Sequence, residues 1–383
     1  MLTHASAVSS SRKKKQPSLA KISPVIFLGI LVLLLQSQLI CQEKEYFFYN
    51  PEEVGSEALY NPLSVIANAG FDSFQIIEDR LPTWKEVYWS RSTTNVWRSA
   101  TSPLPIINRF GWSRFLRQEI FPISFNINDA QYAPNYALHL IGGGMTFRKL
   151  SEWYDYNGFP VPVLWGAVTR MTYEFINESV ENGPGTYLNE DCLPDMLVFQ
   201  PLGMILFSFD DVSEFFSSTL NLNDWSQPVI LTFAPFAVRN AGQNFVMKLA
   251  LNQGHSTNLF FHFGDFAIVG LSLKTNSEDA ISFGGGLASI GVKDLPFQNE
   301  VHSNTVVPGG MAGIYYDRNN SLLASTVYSA DQHCRLRLNL YPGLLPGSAF
   351  SPGLFVTFDS RGGIVAGLTT GVLPIGLGFY HPQ

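Results

Sequence analysis

The chain has 383 residues, with 24 basic and 31 acidic side chains and a formal charge of −7. Charged residues make up 14% of it, against ~25% in a typical soluble domain, while hydrophobic residues stand at an ordinary 46%. That balance excludes a disordered chain, a coiled coil and a nucleic-acid binder working through a basic surface; with one long apolar run, it also excludes a polytopic helical membrane protein.

Residues 1–41 carry Arg12, Lys13, Lys14, Lys15 and Lys21 and no acidic side chain, and Pro24 to Ile40 follows as an apolar run. A basic stretch ahead of such a run reads as an export signal. The alternative is an uncleaved anchor, because the run sits at the lower limit for crossing a bilayer. Cleavage is expected, since polar residues follow and no basic stop-transfer cluster does. Cys41 stands where a lipoprotein carries its acylated cysteine, but Ile40 and Gln38 fit the processing site poorly. The expected location is the bacterial envelope, outer membrane first and periplasm next. Cys192 and Cys334 lie in different segments; a disulfide is open to them in an oxidising compartment, and two free thiols are the favoured state.

Residues 42–130 are aromatic and irregular, opening on Tyr46, Phe47, Phe48 and Tyr49. A short helix is predicted around Leu63–Phe71. The Trp- and Arg-rich run from Trp84 to Arg117 suits a periplasmic or interfacial position, or an amphipathic helix packed on the rest of the protein.

Residues 131–222 read as helices. Apolar spacing runs from Tyr132 to Leu150 across Gly142, Gly143 and Gly144. Three glycines cost ~1 kcal/mol each in a helix interior, so either the helix breaks there or another backbone packs very close. Further helices are predicted over Val163–Glu181, Asp191–Phe207 and Asp211–Leu220, the last capped by Asp210 or Asp211.

From residue 227 the period changes from 3.6 to 2. In 333–341, Cys334, Leu336, Leu338 and Leu340 alternate with His333, Arg335, Arg337, Asn339 and Tyr341. Similar patterns occupy 229–238, 245–252, 257–264, 267–275, 280–291, 311–317, 321–329, 353–359, 362–370 and 373–380. The segment is only about 10% charged, its second face is small and polar, and strands of this length match the ~9–11 residues that cross a bilayer at a tilt. The expected fold is therefore α+β and membrane-associated: a helical segment followed by an antiparallel transmembrane β-barrel of ten or twelve strands. Lys248, Lys274, Arg335, Arg337 and Asn339 are predicted to face the lumen. A final Phe379-Tyr380 followed by His381-Pro382-Gln383 departs from the usual aromatic ending of such barrels.

The ionisable residues concentrate on the helices. Arg170, Glu174, Glu178 and Glu181 share one helix face, Asp191 and Asp195 form an i, i+4 pair, and His139 lies on the preceding helix. Carboxylates at one-turn spacing beside a histidine suit a divalent metal or an acid and base pair. His139, Glu174, Glu178, Asp191 and Asp195 are the catalytic candidates, and the four carboxylates among them the metal candidates. Two plainer readings compete: Arg170 pairing with Glu174 on a solvated helix, and acidic helices docking against the lumen cations Lys248, Lys274, Arg335 and Arg337. Gly284-Gly285-Gly286 reads as a bend in the barrel wall. A hydrolase dyad of His262 with Ser272, Ser282 or Ser289 has no supporting spacing.

The stretch from His139 through Gly142-Gly143-Gly144, Glu152-Trp153-Tyr154, Gly158, Glu174, Asn177-Glu178, Glu181, Asp191, Asp195 and Gly203 resembles an uncharacterised family of Gram-negative envelope proteins. There, a glycine-rich helical segment with His, Glu and Asp precedes a barrel-like C-terminus. The resemblance covers about residues 131–210 and implies an outer-membrane location without implying an activity.

The expected function is that of an outer-membrane barrel protein, structural or transport-like, with helices plugging or lining the barrel and membrane lipid as its partner. The alternatives are an envelope enzyme acting on lipid or cell-wall substrates through the His/Glu/Asp cluster, and a periplasmic β-domain binding lipid or sugar.

Overall fold

The computed structural model describes residues 46–51, 54–72, 87–121, 133–182, 192–234, 236–239, 242–264, 266–296, 302–331, 334–344, 351–371 and 373–382. The expected export signal, Cys41 and Asp191 lie outside the described residues.

The N-terminal half is helical. Helix α1 (Pro62–Ala69) starts at a capping box: Asn61 Oδ1 accepts from the backbone N–H groups of Leu63 and Ser64, and Ser64 Oγ accepts from that of Asn61. Helices α2 (Trp89–Thr101), α3 (Pro103–Phe110) and α4 (Trp112–Phe115, extended at π pitch over Leu116–Ile120) follow from the Trp- and Arg-rich run. Their apolar sides, through Val96, Ile106, Ile107 and Phe115, pack on Cys192, Leu193 and Met196. Trp97 and Trp112 stay on the exposed side.

Helix α5 runs at π pitch over Ala133–Gly142 and continues as α-helix over Gly143–Tyr156, so the three glycines do not break it. They allow close approach instead. A Cβ on Gly203 would lie 2.6 Å from the Leu140 carbonyl oxygen and 3.2 Å from Gly144 N, and one on Gly144 would lie 2.8 Å from the Gly203 carbonyl oxygen. Helix α6 (Pro162–Glu181) starts where the Phe159-Pro160-Val161-Pro162 stretch ends the previous helix. Helix α7 comprises Cys192–Pro194, Asp195–Phe199 at π pitch and Gln200–Phe207, and α8 spans Asp210–Glu214 with a π extension to Thr219.

The C-terminal half is one sheet of thirteen strands: β1 (Asn223–Asp224), β2 (Ile230–Phe233), β3 (Phe236–Arg239), β4 (Phe245–Ala250), β5 (Thr257–Phe263), β6 (Phe266–Lys274), β7 (Asp279–Pro296), β8 (His302–Arg318), β9 (Ser321–Ser329), β10 (Leu336–Leu340), β11 (Pro352–Phe358), β12 (Ile364–Thr370) and β13 (Leu373–His381). Their order is β1-β4-β5-β6-β7-β8-β9-β10-β11-β12-β13-β2-β3. Every pairing is antiparallel except β13 with β2. The count corrects the expected ten or twelve. The 229–238 pattern folds back on itself as the β2–β3 pair, and two-residue β1 is too short to show alternation.

The sheet is open, since β1 and β3 end the order without pairing to each other. It is nonetheless strongly curved. In a flat sheet, β1 and β2 would stand eleven strand spacings apart, about 53 Å. The chain from Asp224 to Ile230 reaches at most about 21 Å. That connection crosses the concave side: Trp225 packs on Phe260 and Tyr315, and Gln227 accepts hydrogen bonds from Arg337 and Asn339.

Alternation assigns the two faces. Ile268, Ser272, Ser282, Tyr315, Asp317, Arg337, Asn339 and Phe355 are buried on the concave side. Their neighbours point outward and are apolar, with Val269 54%, Ile314 58%, Leu368 56% and Phe379 79% exposed. Gly270 and Gly284 face each other across β6 and β7; a Cβ on Gly284 would lie 2.5 Å from the Val269 carbonyl oxygen. The helices pack against the sheet through Met145 and Phe207 on Phe245 and Phe263, and through Ala67, Phe71 and Val180 on Val229 and Val238. Among the described residues, no single helix is long and apolar enough to cross a membrane.

Candidate functional site

Three of the predicted candidates converge. His139 comes from the π-pitch part of α5, Glu174 from the middle of α6, and Asp195 from the π turn that opens the long part of α7. Taking one ligand atom from each, all three lie within 4.8 Å of one another. His139 Nδ1 is 3.5 Å from Glu174 Oε1, and His139 Nε2 is 3.6 Å from Asp195 Oδ2. Gln200, one turn along from Asp195, places Nε2 2.9 Å from His139 Nδ1. Arg170 Nη1 donates to Glu174 Oε2 at 2.8 Å, so the expected i, i+4 ion pair forms, though both partners are buried rather than solvated.

Gly143 makes room for this arrangement. A Cβ there would lie 2.8 Å from Gln200 Oε1 and 2.9 Å from Arg170 Nε. The middle glycine of the triplet is therefore tied to the polar cluster, while its neighbours serve packing against Phe245 and Phe207. Glu178 is buried one turn beyond Glu174, and its Oε2 makes no hydrogen bond. Glu181, the last of the stripe, is exposed and accepts from Asn177 Nδ2 at 2.9 Å.

The electrostatics follow from burial. Desolvation holds His139 below the ordinary histidine range, with Glu174 opposing and Arg170 adding to it. Burial alone would push Glu174 up, but His139 and Arg170 beside it keep it below the usual carboxylate range. Glu178 has no such cation: burial first, then Glu181, Cys192, Asp195 and Glu174, push its carboxyl well above that range.

The other candidates divide. Lys248, Arg337 and Asn339 lie buried on the concave face of the open sheet. Lys274 and Arg335, of the same parity, stand exposed at strand ends. Among the described residues, the partners seen for Lys248, Arg337 and Asn339 are not the helical carboxylates. Lys248 pairs with Asp317 of β8 at 2.8 Å, Arg337 Nη1 donates to Gln227 Oε1 at 3.2 Å, and Asn339 Nδ2 donates to Gln227 and Ser325 at 2.9 Å. The partners of these three side chains come from the sheet and the connection that crosses it, because the curvature brings distant strands face to face.

Helical carboxylates have local work instead. Glu152 accepts the backbone N–H groups of Phe47, Phe48 and Tyr49 together with Arg148 Nε. Lys149 Nζ pairs with Glu57 at 2.7 Å. The His262 dyad does not form: Nδ1 lies 3.0 Å from Tyr315 Oη, and Ser272 Oγ, Ser282 Oγ and Ser289 Oγ make no hydrogen bond. Cys192 and Cys334 are not joined in a disulfide.

Sequence reading missed Gln200, which carries no signal beyond its helical spacing from Asp195. It also missed Gln227, Asp317 and Trp225, whose partners are set by the curvature. The whole constitutes an α+β protein in which a helical layer holding a buried polar cluster packs on a curved antiparallel sheet. No protein-family model, curated protein or solved structure matches the chain.

Proposed function

We propose that this is a membrane-embedded β-sheet protein of the bacterial envelope with a structural role, its helices packed against the sheet as a cap. One observation carries the reading: the outward face of β5 to β13 is apolar and exposed, while the charged side chains Lys248, Asp317 and Arg337 lie on the concave face, buried among Phe260, Ile268, Tyr315 and other apolar groups. A water-soluble sheet does not leave such a face wet, because exposing a continuous apolar surface forfeits about 25 cal/mol for every Å². Leu336, Leu338 and Leu340 accordingly sit half-buried to exposed rather than in a core. Transport is the weaker half of the expectation. Lys248, Arg337, Asn339 and Trp225 fill the interior with bonded side chains, which favours a packed element over an open pore.

The test is to express the full-length chain, wash isolated membranes with urea, and compare gel mobility of boiled and unboiled samples. Retention is expected, and a heat-dependent mobility shift beside it would mean that the sheet edges close in the bilayer. Release by urea without a shift would overturn the reading and favour a periplasmic β-domain.

A further inference from the structure

We propose that His139, Glu174 and Asp195 bind one divalent first-row transition ion, such as Zn²⁺. The inference rests on the helical cluster and stands apart from the membrane reading.

Distances argue first. At 3.5 and 3.6 Å the imidazole nitrogens are too far from Glu174 Oε1 and Asp195 Oδ2 for charge-assisted hydrogen bonds, which run at about 2.7–2.9 Å. Each separation is near the ~3.3 Å between two ligands on a tetrahedral ion, and one ligand atom from each of the three residues lies within 4.8 Å of the others. The two carboxylates face different ring nitrogens, so a rotation of the imidazole brings one nitrogen onto an ion held by both.

Unsatisfied oxygens argue second. Glu174 is 2% exposed and its Oε1, aimed at His139, makes no hydrogen bond. Gln200 Oε1 and Glu178 Oε2 beside it are buried and equally without one. Leaving such a group unmet costs ~1–3 kcal/mol, more if it is charged, and Arg170 takes only the other oxygen of Glu174. A cation at the centre of the cluster satisfies Glu174 Oε1 directly.

Donor chemistry chooses the ion. Ca²⁺ and Mg²⁺ take oxygen ligands, whereas one imidazole with two carboxylates suits Zn²⁺ and its first-row neighbours. Three protein ligands leave a fourth position. The His139 side chain is 18% exposed, the least buried of the three.

The test uses the full-length protein purified in detergent and stripped with EDTA. Titration with Zn²⁺ followed by calorimetry, with metal content measured after dialysis, is expected to give one ion per chain. Affinity should fall at least tenfold in His139→Gln, Glu174→Gln and Asp195→Asn, and hold in Glu181→Gln. No stoichiometric binding, or unchanged binding in the three variants, overturns the proposal. Should those variants fail to fold, Co²⁺ loading of the unaltered protein decides. A tetrahedral ligand-field band without thiolate charge transfer supports the site. Its absence, or a thiolate band from nearby Cys192, overturns this ligand set.

Discussion

Lys248 Nζ lies 2.8 Å from both carboxylate oxygens of Asp317. The two residues belong to β4 and β8, four strand spacings apart in the sheet order, which is about 19 Å in a flat sheet. Their contact is therefore itself a measure of curvature, and it spans the concave interior. Lys248 also stacks over the Trp225 ring at 4.6 Å and donates to Asn320 Oδ1 at 3.1 Å.

Because both charges are buried, removing one partner strands the other. Asp317→Asn is expected to cost about 3–5 kcal/mol, whereas Lys248→Met combined with Asp317→Leu recovers most of that loss. Equilibrium unfolding in detergent measures both. A loss below about 1 kcal/mol for Asp317→Asn would mean that water reaches the pair and the interior is an open lumen.

The α5–α7 contact yields a second expectation. Gly203→Ala places a Cβ 2.6 Å from the Leu140 carbonyl oxygen, and backbone cannot yield as a side-chain tip can. The variant should lose about 1–3 kcal/mol through separation of the two helices. Gly254→Ala, with nothing within 4 Å of its Cβ, provides the control. Equal thermal shifts in the two variants would remove the close-packing account of these glycines.

What could be read in advance follows a physical divide. Local periodicity gave helix α6 and most strands to within a few residues, because burial of one face imposes the pattern directly; the two longest, β7 (Asp279–Pro296) and β8 (His302–Arg318), run well beyond the expected 280–291 and 311–317. The same alternation put Lys248, Arg337 and Asn339 on the polar side. It could not reveal the strand count, because β1 has two residues and β2–β3 turns back within one apolar run. It could not pair Lys248 with Asp317 or Arg337 with Gln227, since those contacts depend on how the sheet bends. For the site, Arg170–Glu174 follows from i, i+4 spacing alone. His139 meeting Glu174 and Asp195 requires three helices to converge. That convergence rests on Gly143, Gly144 and Gly203, whose role shows only when neighbouring backbones are in place.

The outward apolar face gives a third expectation, one that separates bilayer from water. Val269 is 54% exposed near the middle of β6. In a bilayer, Val269→Arg should cost about 2–4 kcal/mol; on a wetted surface such a change stays within about 0.5 kcal/mol. Folding free energies of the pair in phospholipid vesicles supply the measurement. A value near zero there would place this face in water.

Glu178 provides a pH signature for the helical cluster. Its carboxyl is pushed well above the usual carboxylate range in the fold, by burial first and by Glu181, Cys192, Asp195 and Glu174 after that. In the unfolded chain a Glu ionises near its ordinary value of about 4.3. The folded state thus binds the extra proton, and the contribution of Glu178 is fully present below pH ~4 and lost as pH rises toward the folded-state value. Glu178→Gln, neutral in both states, escapes this loss. In EDTA, the variant should match the parent protein near pH 4 and exceed its stability by about 1–3 kcal/mol at pH 8. Denaturant melts across that range test the sign as well as the size. If the variant is instead less stable at pH 8 than at pH 4 relative to the parent, Glu178 is ionised in the fold and a cation must lie against it.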